Sequence, residues 1–174
     1  METPIIKRVE LSEIQQLQKI GRETFYETFS GDNSEENIKE YLNEKFSIEK
    51  LTIELSNPDS EFYFAYINDK ILGYLKVNFA EAQTELKDKN SLEIERIYVL
   101  KEFHGLKIGQ FLYHKALQIA KDTALNYIWL GVWEENLRAL NFYKKNGFVE
   151  FDKHIFKLGD EEQTDLLMRL TLKS

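Results

Sequence analysis

Three consecutive apolar segments constrain this chain more than any other feature: SLEIERIYVL at residues 91–100, KIGQFLYHKALQIAKD at residues 107–122 and YIWLGVW at residues 127–133. The last is too short and too apolar for anything but a buried strand, and the first reads as a strand that carries charge inside an apolar pattern. Between them, Ile108, Phe111, Leu112, Ala116, Ile119 and Ala120 recur at helical intervals on one face. Strand, helix and strand make one βαβ unit, whose two strands are expected to be parallel and joined by a right-handed crossover. Ligands in such units sit beyond the carboxyl ends of the strands, and EFHGLKIGQFL, residues 102–112, lies at that place.

The rest of the chain alternates strands and helices without repeats or low-complexity tracts. A short strand is expected over residues 4–9. Leu11, Ile14, Leu17, Phe25 and Phe29 then mark an amphipathic helix over residues 11–29, with an interruption near Gly21. Asn33 or Ser34 can cap a helix through Phe46, and Ser47 a further one ending near Asn57 and Pro58. Residues 61–80 form an expected β-hairpin turning at Asn68 and Asp69, and residues 81–90 a polar loop. The helix over residues 136–146 is stopped by Gly147, and strands around residues 148–156 and 164–172 form a final hairpin.

With 174 residues, one domain over residues 1–174 is expected, since about 100–200 residues per domain is usual. No run of about 18 apolar residues occurs, and METPIIKRVE lacks the pattern of a signal peptide, so a cytoplasmic protein without a membrane partner is expected. The absence of cysteine removes disulfides, thiolate metal sites and a cysteine nucleophile, so a transferred group must use another nucleophile or pass directly to its acceptor. A net charge of −7 argues against nucleic acid and suits a cationic partner, although many soluble enzymes are as acidic. His104, His114 and His154 form no HExxH or comparable grouping, so no metal is expected.

A helix N-terminus offers unpaired N–H groups and partial positive charge to an anion. Gly105 and Gly109 would let a pyrophosphate approach the backbone, and Lys107 adds a charge. The alternative is a turn glycine and a helix-packing glycine. Neither GxxxxGK[ST] nor GxGxxG occurs, which argues against nucleotide triphosphatase and dinucleotide readings. Asn136 and Tyr143, seven residues apart, share a helix face with Ala139 between them: either a groove, or an N-cap and a core-edge aromatic. Alternation along residues 91–100 places Leu92, Ile94, Arg96 and Tyr98 on one face and Glu93, Glu95, Ile97 and Val99 on the other. Two buried glutamates on one face would each raise the other's pKa, an environment suited to a general base; either glutamate could equally pair with Arg96.

LEIERIYVLKEFHGLKIG followed by WLGVWEENLRALNFYKKNGF resembles the two core motifs of the GCN5-related N-acetyltransferases. LEIERIY, IWLGVWE, FYKKNGF and GDEEQTDLLM are closer still to the PaiA-type spermidine/spermine N-acetyltransferases, and the resemblance covers nearly the whole chain. It implies the GNAT fold, an α/β fold with a mixed, mostly antiparallel sheet and helices on both faces, and direct transfer from acetyl-CoA to a primary amine of a polyamine. It also implies that the segment His104, Gly105, Leu106, Lys107, Ile108, Gly109 and Gln110 holds the CoA pyrophosphate through backbone amides. His104 stands where the family motif has Gln or Arg, and Lys107 where it has its first glycine. The strand at Ile97, Tyr98 and Val99 would diverge to admit pantetheine, with the Val99 N–H on the thioester carbonyl. Asn136 would bind pantetheine beside Ala139, Tyr143 would protonate the leaving thiolate, and Lys145 would meet the cofactor or solvent. Glu93 is the first choice as base, through water, and Glu95 the second. Glu23, Tyr26, Glu27 and Glu36 either line an amine pocket or form a solvated face. Rival readings are a protein N-terminal or lysine acetyltransferase and a non-catalytic acyl-CoA sensor. Edge strands and exposed aromatics such as Trp133 leave a homodimer open.

Overall fold

The computed structural model describes residues 2–172. Seven strands form one sheet: β1 (Ile5–Arg8), β2 (Ser60–Ile67), β3 (Lys70–Phe79), β4 (Ser91–Val99), β5 (Tyr127–Trp133), β6 (Val149–Leu158) and β7 (Glu161–Thr171), in the spatial order β1-β2-β3-β4-β5-β7-β6. The β4–β5 pair is parallel, and the other neighbours run antiparallel. This is the expected mixed sheet built around one βαβ unit. Helices α1 (Ile14–Phe29), α2 (Glu35–Lys45) and α3 (Ile48–Ser56) precede β2; α4 (Ile108–Asp122) joins β4 to β5, and α5 (Leu137–Lys145) follows β5.

Apolar residues on the two sheet faces bury against different helices. On one face Leu92, Ile94, Ile128 and Leu130 pack with Leu112 and Ala116 of α4 and Leu140 of α5. On the other, Phe62, Phe64 and Tyr74 pack with Leu17, Phe25 and Phe29 of α1, Leu42 of α2 and Leu51 of α3. Burying one such side chain stabilises the fold by about 1.5–3 kcal/mol before entropy is subtracted. Ser34 and Ser47 cap α2 and α3 by accepting hydrogen bonds from the N–H groups of Asn37 and Lys50.

Helix α1 continues through Gly21, against the expected interruption. Tertiary packing explains the glycine: a Cβ there would lie 2.6 Å from Cε1 of Phe46, so only a residue without one lets the Phe46 ring approach. Leu11 lies in a short 3-10 turn before α1 and is exposed, so the apolar stripe starts at Ile14.

The feature that positions the site is a bulge in β4. Lys76 of β3 faces Arg96 while the next residue, Val77, faces Ile94, so Glu95 is an extra residue. Strict alternation therefore fails. Ile97 and Val99 rejoin Leu92 and Ile94 on the α4 face, while Tyr98 packs on the α1–α3 face and Arg96 stacks on the Phe46 ring there. Beyond the bulge the parallel pairing ends: its last pair is Ile94 with Leu130, although β4 runs on to Val99 and β5 to Trp133.

Candidate active site

The divergence of β4 and β5 opens a cleft of about 1740 Å³ that connects the α4–α5 side of the sheet with the α1–α3 side. Of the residues singled out in the sequence as catalytic or cofactor-binding, all but Leu106 line it. Leu106 is 39% exposed and turns outward.

The backbone of β4 presents donors to this opening. The N–H of Leu100 donates to the carbonyl of Leu72 on β3 at 2.9 Å. Donors alternate sides along a strand, so the N–H groups of Val99 and Ile97 point away from β3 toward the gap. The carbonyl of Val99 meets Nε2 of His104 at 2.9 Å, which ties the following loop to the strand end.

That loop leads into α4, whose N-cap residue, Lys107, makes no capping hydrogen bond with its side chain. Helices α2, α3 and α5 have side-chain caps. The N–H of Phe111 is taken by the carbonyl of Lys107, leaving those of Ile108, Gly109 and Gln110 directed out of the helix beside the cleft. Gly105 has φ +87° and Lys107 φ +64°, both left-handed. Lysine at Lys107 therefore carries a conformational cost of about 1 kcal/mol that glycine would avoid. Lys107→Gly should raise stability by up to about 1 kcal/mol in denaturant unfolding and leave CoA affinity unchanged or tighter. Weaker CoA binding in that variant would show that the lysine charge outweighs the strain. A Cβ on Gly109 would make only an ordinary contact with Val99, at 3.9 Å, so close helix packing does not require that glycine.

Across the opening, α5 carries Asn136 and Tyr143. Asn136 caps its helix, its Oδ1 accepting from the N–H of Ala139 at 3.2 Å, which leaves its amide NH₂ for another partner. Tyr143 is 6% exposed and packs edge-on against Phe142 and Phe148. Its hydroxyl makes no hydrogen bond among the described residues, and burial raises its pKa, so the phenol keeps its proton throughout the physiological range. Lys145 is exposed at the rim, and Gln110 bonds Asn146 at 3.0 Å.

The two glutamates of β4 have separate environments. Glu93 is 3% exposed, and burial, reinforced by Glu95, raises its pKa. Yet both its oxygens are engaged: Oε1 accepts from Asn78 Nδ2 at 2.9 Å and the N–H of Thr84 at 2.8 Å, and Oε2 from the Thr84 hydroxyl at 2.5 Å. These bonds leave it less available as a base than its pKa alone suggests. Glu95 departs from the expectation of a raised pKa. Burial does oppose its charge, but Arg96 at 3.2 Å and Lys76 at 2.7 Å outweigh burial and hold its carboxyl down at about 2. Glu54 of α3 completes the network, 2.8 Å from Lys76 and 3.4 Å from Arg96. Glu95 is thus the structural partner of Arg96, in a four-member network that holds the bulge.

On the α1–α3 side the cleft is walled by aromatic rings. Phe25 stacks on Tyr41 at 4.5 Å, Phe29 lies 5.5 Å from Trp133, and Tyr41 meets Phe156 edge-on. Trp133 is 8% exposed, so it belongs to this wall and is not a free surface aromatic. Glu27 lines the cleft and accepts from the N–H of Lys101 at 3.0 Å; Glu23, Tyr26 and Glu36 do not line it. Glu85, His154 and Asp165 are among the lining residues that the sequence did not mark as site residues. Among the described residues no group of three or more His, Cys, Asp or Glu could hold a metal ion, and no helix is long and apolar enough to cross a membrane.

A sheet splayed at a bulge, an uncapped helix N-terminus beside it and a buried tyrosine across the gap border one cleft, and the chain belongs to the acetyltransferase (GNAT) family, whose sequence profile matches residues 14–148. It is an acetyl-CoA-dependent N-acetyltransferase. Among its relatives, an uncharacterised N-acetyltransferase of Lactobacillus delbrueckii subsp. lactis is 40% identical, the match covering 96% of this chain and 98% of the relative. The spermidine N(1)-acetyltransferase of Thermoplasma acidophilum is 28% identical, over 97% of this chain and 98% of that protein. The crystal structure of the PaiA N-acetyltransferase from T. acidophilum in complex with coenzyme A superposes with a TM-score of 0.82 at 28% identity, covering 98% of this chain and 99% of that one.

Proposed function

We propose that this enzyme acetylates a primary amine of a small polycation of the spermidine and spermine class, with residues 1–174 acting as one domain. The observation that carries this reading is the acceptor half of the cleft, where the rings of Phe25, Phe29, Tyr41, Trp133 and Phe156 adjoin the carboxylates of Glu27, Glu85 and Asp165. Aromatic faces and carboxylates together attract alkylammonium groups. The net charge of −7 favours the approach of a polycation, and the likeness to a spermidine N(1)-acetyltransferase agrees.

In this reading the N–H groups of Ile108, Gly109 and Gln110 hold the pyrophosphate of acetyl-CoA at the positive end of α4. The N–H groups of Ile97 and Val99 bind the pantetheine arm and thioester as an added strand would, assisted by the amide of Asn136. The Val99 N–H donates to the thioester carbonyl and more strongly to the oxyanion that forms when the amine attacks. Tyr143 gives its proton to the departing thiolate, and regains one from the new amide nitrogen. Glu93 holds Thr84 and Asn78 and so fixes the floor beneath the acceptor.

Thiol release from acetyl-CoA, with spermidine, spermine and a basic peptide offered separately, tests the acceptor class. Saturable release with the polyamines and little with the peptide is expected. Release with the peptide alone would assign the enzyme to protein acetylation; CoA binding without release by any acceptor would favour the sensor.

A further inference from the structure

The carboxylates facing the acceptor are not equally free. Glu93 is committed to Asn78 and Thr84, and Glu95 to Lys76, Arg96 and Asn78. Asp165 of β7, with its side chain 16% exposed, accepts no hydrogen bond among the described residues. It lies beside Gly131, which succeeds Leu130, the last β5 residue paired with β4, and so stands at the mouth of the opening. A Cβ built on Gly131 would lie 3.6 Å from Oδ2 of Asp165. The Asp165 carboxylate thus lines the cleft within ordinary contact distance of the Gly131 position, beside the end of the β4–β5 pairing.

We propose that Asp165 is the catalytic base: its carboxylate receives the acceptor's ammonium group at the mouth of the β4–β5 opening and takes the proton that must leave before attack. The inference rests on the amine-acetylating reading above, but not on which amine is used. The ammonium passes one proton to Asp165 and gains a lone pair. That pair forms the C–N bond while the carbonyl electrons move to oxygen. Collapse breaks the C–S bond, and the sulfur takes the electron pair and the Tyr143 proton. The second nitrogen proton returns to Tyr143, so one proton leaves per turnover. It leaves through His154, whose Nε2 is 3.9 Å from Asp165 Oδ2 and whose Nδ1 contacts Oε2 of Glu85; the His154 side chain is 30% exposed.

Three titratable groups face Asp165: His154 from β6, Glu85 from the β3–β4 connection and Tyr41 from α2. Burial pushes Asp165 up to about 6, His154 partly opposes this, and Glu85 adds to it. Such a carboxylate is ionised at pH 7 yet more basic than an exposed one, as a general base should be.

The test compares Asp165→Asn and Glu93→Gln with the wild type, using spermidine, butylamine and trifluoroethylamine, the last already neutral at pH 7. Asp165→Asn is expected to lower kcat with the protonated amines by about 100-fold or more, but by less than about threefold with trifluoroethylamine. Glu93→Gln should lower all three rates alike. Asp165→Asn should also melt no lower than wild type at pH 8. The folded pKa of about 6 lies above the ordinary 3.8, so the stability that Asp165 contributes at low pH is lost as pH rises through 6. Equal losses with all three amines, or none, would overturn the assignment. A wild type that uses butylamine but not spermidine would sink the polyamine reading and leave this comparison intact. One that acetylates no amine would remove the base along with the reading.

Discussion

Replacing Tyr143 with phenylalanine should lower turnover by about 100-fold or more while acetyl-CoA affinity stays within about twofold of wild type. The asymmetry follows from the site. The Tyr143 ring packs against Phe142 and Phe148, and phenylalanine fills the same space, so the wall of the cleft survives. What is lost is the hydroxyl, which has no hydrogen-bond partner among the described residues and belongs to a side chain that lines the cleft. On the proposed mechanism the thiolate then departs unprotonated, which raises only the barrier to transfer. Single-turnover acyl transfer separated from CoA titration checks this. Unchanged turnover would remove Tyr143 from the reaction, and a matching loss of affinity would make it a binding residue.

Lys76→Met should cost about 3 kcal/mol of stability, because it removes one of two cations that neutralise Glu54 and Glu95 in a buried network. Lys76 has a 6% exposed side chain, so water cannot substitute for it. Glu95→Gln introduced alongside should restore part of the loss. The pH dependence of the wild type has a definite sign. The Glu95 carboxyl, held at about 2 against an ordinary 4.5, contributes stability that is present above 4.5 and lost as pH falls through about 2. Denaturant unfolding of the single and double variants between pH 7 and 3 measures both effects. A Lys76→Met protein as stable as wild type would mean that Arg96 alone neutralises the pair.

The elements and the site's general location were legible in the sequence because local patterns encode them: serines ahead of α2 and α3, alternation in the hairpin, and helical periodicity in α4 between two apolar strands. The bulge was not. It arises from pairing with β3, where Lys76 and Val77 skip Glu95, and nothing in SLEIERIYVL marks which residue is extra. The fates of the two glutamates were hidden for the same reason, since Lys76, Asn78, Thr84 and Glu54 come from other elements. Lys107 takes a left-handed conformation that glycine would adopt without strain, which the residue type alone does not announce. Asp165 lies inside GDEEQTDLLM, which carried only a likeness to the family and gave that residue no role. Gly131 inside the otherwise bulky YIWLGVW was no signal of it either, since a Cβ there would make only ordinary contacts, with Leu167 at 3.4 Å and Asp165 at 3.6 Å.

Amide hydrogen exchange with and without acetyl-CoA tests most directly whether acetyl-CoA lies in the β4–β5 opening with its phosphates on the α4 N-terminus. The N–H groups of Ile97, Val99, Ile108, Gly109 and Gln110 are expected to slow markedly on binding, while those opening α2 and α3, already capped by Ser34 and Ser47, stay unchanged. Binding that leaves the amides of β4 and α4 unprotected, or protects a different edge of the sheet, would contradict this placement.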